Sequence, residues 1–113
     1  MVAADAAEGN GTMTVSEHDR IDILARRGET ISLIMVETRP WSEAEAIRAD
    51  LRVKILNYAD YIRGDAFREQ FGDAPAEIVL SHDSEPPEEI RTLLENATAD
   101  LGIPVVSLVM PGL

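Results

Sequence analysis

Cysteine is absent from this 113-residue chain. That removes disulfide frameworks, thiolate zinc sites, iron–sulfur clusters and cysteine nucleophiles, and leaves no trace of an oxidising compartment. Basic residues are scarce: 10 Lys and Arg stand against 21 Asp and Glu, a formal charge of −11. Affinity for nucleic acid comes largely from neutralising phosphates, so this balance argues against nucleic acid and equally against an anionic membrane surface. A basic partner protein stays compatible, as does the plainer reading that the charge keeps the chain dispersed. No apolar run approaches the roughly 18 residues of a membrane span. The opening from Met1 to Thr12 lacks the basic start and apolar stretch of a secretory signal, so cytoplasm is the expected setting.

Nucleotide and hydrolase motifs are missing too. No glycine-rich segment follows a strand and opens a helix, and no HExxH, CxxC or Gly-x-Ser-x-Gly occurs. Gly9-Asn10-Gly11 lies in a small, acidic opening that reads as a disordered tail over residues 1–16, with Met13 as a second candidate start. Residues 17–113 then form one domain, since a chain of this length has room for a single core. No cofactor is expected.

Within that domain the pattern changes period in a definite order. Asp19 to Thr38 reads as a β-hairpin turning at Gly28-Glu29, glycine first. This register sets Ile23 opposite Ile34 and Leu24 opposite Leu33. It predicts burial of Ile21, Ile23, Ile34 and Val36 on one face, with Gly28 at positive φ. A long helix follows, with Ser42 as N-cap and Glu45 completing a capping box. Ile47, Leu51, Ile55, Tyr58 and Ile62 form its core stripe, and Val53 and Leu56 lie opposite. Gly64 suits the end of that helix, and Asp65 caps a short one, Ala66 to Phe71, closed by Gly72. Ile78-Val79-Leu80 suits a strand buried on both sides. Pro86-Pro87 opens a second long helix bearing Ile90, Leu93, Leu94, Ala97 and Leu101, Gly102 ends it, and Pro104 to Met110 supplies the last strand. The order ββαβαβ predicts an α+β domain: a four-stranded mixed sheet, first strand antiparallel, with both helices on one face.

Trp41, Leu51, Lys54-Ile55, Asn57-Tyr58, Tyr61-Ile62 and Gly64-Asp65 together resemble a family of small bacterial proteins catalogued as a domain of unknown function. Its members show a Trp, then a Lys-Ile-Asn-x-Tyr type helix ending in a Gly-acidic pair; here Leu56 stands between Ile55 and Asn57. The likeness in element order covers residues 17 to 110. It implies the same fold and carries no reaction, cofactor or catalytic residue.

In open sheets with parallel strands, sites gather beyond the carboxyl ends of those strands. That edge should collect Glu37, Arg39, Trp41, His82 and Asp83, together with His18, because an antiparallel first strand begins where the others finish. Read as chemistry, His82 and Asp83 could do acid–base work, or His18, His82 and Asp83 could bind a divalent metal, which makes a small metal-binding or hydrolase-like enzyme the alternative reading. Read as structure, the rim is polar because loops meet water, and Trp41 covers the helix start. Tyr58 and Tyr61 serve as phenolic acids on the first reading and as packing on the second. Glu85 to Glu89 is either a lure for a basic partner or a solvated helix start complementing the dipole.

With both helices on one face, the other sheet face stays uncovered, and exposed apolar patches usually mark an interface. Leu24, Leu33 and Met35 are assigned to that open face, with Val53 and Leu56 as a second patch on the long helix. The leading expectation is therefore a non-enzymatic interaction or regulatory module, self-associating as a homodimer, with an acidic exterior open to a basic protein.

Overall fold

Gly28 turns the first hairpin. Its φ is +64° and no other hairpin residue has positive φ, as a two-residue turn with glycine in first place requires. The computed structural model of the chain describes Val15 and residues 21–109. Strands β1 (Ile23–Arg27) and β2 (Thr30–Val36) pair antiparallel, with Ile23 opposite Ile34 and Leu24 opposite Leu33, the register expected from the sequence.

After β2 the chain makes one 3-10 turn, Trp41–Glu43, and enters α1 (Ala44–Ile62). The anticipated capping box does not form: Ser42 falls inside the 3-10 turn, Glu43 takes the N-cap position, and no side chain caps either start. Pro40 is extended and the turn hydrogen bond runs from Glu43 N–H to Pro40 C=O, which shifts the helix start past Ser42. Gly64 is extended, with φ −87°, and precedes α2 (Asp65–Phe71) as its N-cap, so Asp65 is the first residue of that helix and not its cap. Phe67 of α2 is buried, with its ring edge-on to Tyr61 at 5.7 Å. β3 (Ala76–His82), α3 (Glu88–Leu101) and β4 (Val105–Val109) complete the domain.

The sheet order is β1-β2-β3-β4, with β2, β3 and β4 parallel. Two right-handed crossovers stepping in the same direction deliver both connecting helices to one face. A single core lies between layers: Ile31, Leu33, Met35, Ile78, Leu80 and Val105 from the sheet meet Ile47, Leu51, Ile55, Tyr58, Ile90 and Leu94 from the helices. Gly102, at φ +71°, closes α3, and the Thr98 hydroxyl oxygen accepts the Val105 N–H at 2.8 Å, tying the helix end to the last strand.

The hairpin's faces are opposite to expectation. Leu33 and Met35 are wholly buried under the helices and Leu24 packs against the same core, so these three are not an open surface. Ile23 is instead 43% exposed, with Ile34 and Val36 half-buried beside it on the helix-free face, where Ser32, Val79 and Ser81 are nonetheless buried; of the four residues expected in the core, Ile21 packs against it. Crossover handedness chooses the covered side of the sheet, and the hairpin alone, apolar on both sides, does not record it. Val53 and Leu56 are exposed on α1, as expected. Val15, read as tail, is fully buried and belongs to the core.

Candidate functional site

The carboxyl edge of the parallel strands does collect polar side chains. Glu37 follows β2, His82 ends β3, and Asp22 leads into antiparallel β1 at the same edge. His18 lies outside the described residues.

Glu37 has almost no contact with water. Its Oε2 accepts from the Arg39 backbone N–H at 2.6 Å and from Arg39 Nε at 3.0 Å; its Oε1 accepts from Arg39 Nη2 at 2.8 Å and from the Val15 N–H at 3.0 Å. Arg39 Nη2 also reaches Asp50 at 3.0 Å. The hydrogen bond with Glu37 raises the Arg39 guanidinium further above its ordinary pKa, with Asp50 adding to it and burial opposing. Arg39 is thus a permanent positive clasp between two acids.

His82 hangs beneath this clasp. Its Nε2 is 2.7 Å from the Arg39 carbonyl, which can only accept, and its Nδ1 takes the Ser84 N–H at 3.1 Å. Those two bonds suit a ring with its proton on Nε2 and a lone pair on Nδ1. Asp83 Oδ1 also stands 3.0 Å from Nδ1. Trp41 stacks on the imidazole at a centroid distance of 3.9 Å and donates its indole N–H to the Ser84 carbonyl at 3.3 Å. Rim residues Glu37, Arg39, Trp41, His82 and Asp83 are therefore brought together, but as an interlocked set. The proton on Nε2 and the lone pair on Nδ1 are both committed, and one ring face is covered. Among the described residues, no group of three or more His, Asp or Glu side chains is placed to hold a metal ion.

A second polar cluster sits deeper, and sequence reasoning passed over it. Lys54 is wholly buried, with Nζ 3.1 and 3.0 Å from the two carboxylate oxygens of Asp22. Asp22 Oδ2 accepts the Val36 N–H at 3.0 Å, while the Asp22 N–H donates to the Tyr58 hydroxyl oxygen at 3.1 Å. Burial pushes the Tyr58 phenol well above its usual pKa, so it stays protonated. A signal was available: Lys54 falls at the margin of the core-facing stripe, beside Ile47 and Tyr58 on the helical wheel, and Asp22 shares the Leu24 face of β1. Tyr58 packs in the core as its stripe position requires, and Tyr61 rests against Phe67. No helix among the described residues is long and apolar enough to cross a membrane.

No family model matches the chain, and no curated protein or solved structure matches it either.

Proposed function

We propose that this chain is a protein-interaction module that self-associates through the exposed apolar side chains on the helix-free face of its sheet. One observation carries the reading: that face is apolar and locally neutral in a strongly acidic protein. Ile23, Ile34, Val79 and Val106 pair in one row across all four strands, and Val36, Ser81 and Leu108 form the next; Val79 and Ser81 in the middle are buried, so the exposed apolar groups lie toward the two edges. Ile23 and Val106 are each 43% exposed and Leu108 is 40% exposed. Its charged side chains on the strands are Arg27 and Glu77, which pair with each other at 3.4 Å. With a chain charge of −11, a surface without net charge is where two copies approach with least repulsion.

A second copy is the natural occupant, because a row of branched aliphatic side chains is its own complement across a twofold axis. Sheets pack about 10 Å apart with such side chains interdigitated. Four strands about 4.8 Å apart, each contributing some five residues at about 3.3 Å, span at most roughly 300 Å² of sheet, and Ser32, Val79 and Ser81 within it are already buried. That is small beside the roughly 800 Å² per partner of standard interfaces, so association should be reversible and concentration-dependent. The catalytic alternative draws no support from His82, since both of its ring nitrogens are engaged.

Light scattering across a dilution series tests the proposal. Average mass should climb toward twice the monomer as concentration rises, and Ile23→Asp should hold the protein monomeric with an unchanged circular dichroism spectrum. A wild type that stays monomeric throughout the series defeats the reading.

A further inference from the structure

On the outer side of the helical layer, away from the sheet face, α1 and α3 leave a groove of ≈ 480 Å³ between them. The two helices connect parallel strands in the same sense, so they run alongside each other in the same direction. Arg48 and Arg52 stand one turn apart on the α1 wall, about 6 Å from each other at their Cβ atoms. Neither forms an ion pair with an acid among the described residues. Thr92 and Asn96 face them from α3, and Ile55, Leu93 and Ala97 make the apolar floor. Charge is graded along the groove. Two guanidiniums outweigh Glu89 at the end where both helices begin, and Asp100 stands at the other.

We propose that this groove binds a small aliphatic carboxylate, its head between Arg48 and Arg52 and its chain along Ile55, Leu93 and Ala97. Paired guanidiniums present planar forks that match a carboxylate, and hydroxyl and amide groups opposite can complete its hydrogen bonds. Apolar walls with a few convergent polar groups, in this range of volume, are the usual make-up of small-molecule sites. Eleven residues line the groove, whereas a protein partner engages about 20–30 a side, so a small ligand fits its scale better than a docked chain. Asp100 sets the direction, because it repels a carboxylate at the far end and leaves room there only for the hydrocarbon tail. Anion recognition is unexpected in a chain of charge −11, and an arginine pair without an acid partner among the described residues is what it requires.

The experiment is an amide chemical-shift titration of the full chain with sodium octanoate below its micelle-forming range, with octylammonium and butyrate in parallel. Saturable shifts are expected over residues 48–56 and 92–101, with octanoate binding more tightly than either comparison compound. Arg48→Gln/Arg52→Gln should weaken octanoate binding by about tenfold or more, the scale of losing charge-assisted hydrogen bonds. Leu56→Glu, at a position 56% exposed, is a second variant that tolerates substitution and should also repel the probe. Shifts that never saturate, that octylammonium reproduces, that fall on Ile23 and Val106, or that survive these substitutions would overturn the proposal.

Discussion

Lys54 and Asp22 form an ion pair at 3.0 Å inside the interface between α1 and the sheet, with the Lys54 side chain wholly shut off from water and that of Asp22 nearly so. The pair joins the middle of the long helix to the entry of the first strand, two segments 32 residues apart. Asp22 also holds the Val36 N–H and so fastens the end of β2 to the same point. Such a pair adds little stability over an apolar substitute, yet losing one partner strands the other charge in a dry site.

Lys54→Met should therefore destabilise the domain by about 3–5 kcal/mol, a large part of the roughly 5–15 kcal/mol that holds a small domain folded. The double variant Asp22→Asn/Lys54→Met should lose clearly less than the two single losses added together, because no unpaired charge remains. Urea unfolding of the four proteins measures this. A Lys54→Met loss under about 1 kcal/mol would show that water reaches the pair.

Tyr58 gives the same cluster a pH signature. Burial raises its folded pKa, while an unfolded tyrosine ionises near 10. Above about pH 10 the unfolded state therefore binds fewer protons than the folded one, and stability falls as pH rises. The stabilisation is fully present below the unfolded value and drains away through the alkaline range. Stability against pH, compared between wild type and Tyr58→Phe, should show a steeper alkaline decline in the wild type. At neutral pH the variant should already be weaker by about 1–3 kcal/mol, since the Asp22 N–H loses its acceptor. Parallel curves above pH 10 would count against the burial argument.

Much of the fold was legible because local chemistry and global topology agree. Gly28, a glycine-led turn and alternating β-formers set the Ile23–Ile34 register, and handedness placed both helices together. Which hairpin face they cover was misread because Ile23, Ile34 and Val36 look as apolar as Leu24, Leu33 and Met35. A tie-breaker lay in the neighbours: Ser32, Glu77 and Ser81 share the first face, whereas Ile31, Ile78 and Leu80 share the second. The rim was legible as an edge because strand direction fixes which ends meet. Its internal locking was not, since adjacency in sequence says nothing of where Arg39 C=O or the Ser84 N–H points. Lys54 and Asp22 were missed because charged residues are seldom fully buried, and only a partner elsewhere in the chain makes burial tolerable.

His82 is expected to act as a strut. His82→Ala removes the Trp41 stack, the donor to Arg39 C=O and the acceptor for the Ser84 N–H. The loss should be about 1–3 kcal/mol from unmet hydrogen bonds, with roughly 0.5–1.5 kcal/mol more from the ring contact. Amide exchange at Ser84 should quicken by more than the global loss accounts for. His82→Gln, which can still donate to Arg39, should recover part of the stability. Full stability in His82→Ala would mean that the ring's bonds are not what orders this loop.

The uncovered sheet face should make stability depend on concentration. A partner that binds only the folded state stabilises it by mass action, so a self-associating chain melts at higher temperature when it is more concentrated. Wild type should show a rising Tm over a hundredfold increase in concentration, while Val106→Asp should show a flat one. The substitution isolates the interface because Val106 is already 43% exposed and has no place in the core cluster. In the monomer it exchanges half-wetted aliphatic surface for a solvated carboxylate, a change of within about 0.5 kcal/mol at ordinary surface positions. In the dimer the same carboxylate would enter the interface beside the exposed apolar side chains of that face, Ile23 and Leu108, and lose its water there. Wild type and variant should therefore share one Tm at low concentration and diverge as concentration rises. A Tm independent of concentration in both, or a variant equally destabilised at every concentration, would remove the face from any role in self-association.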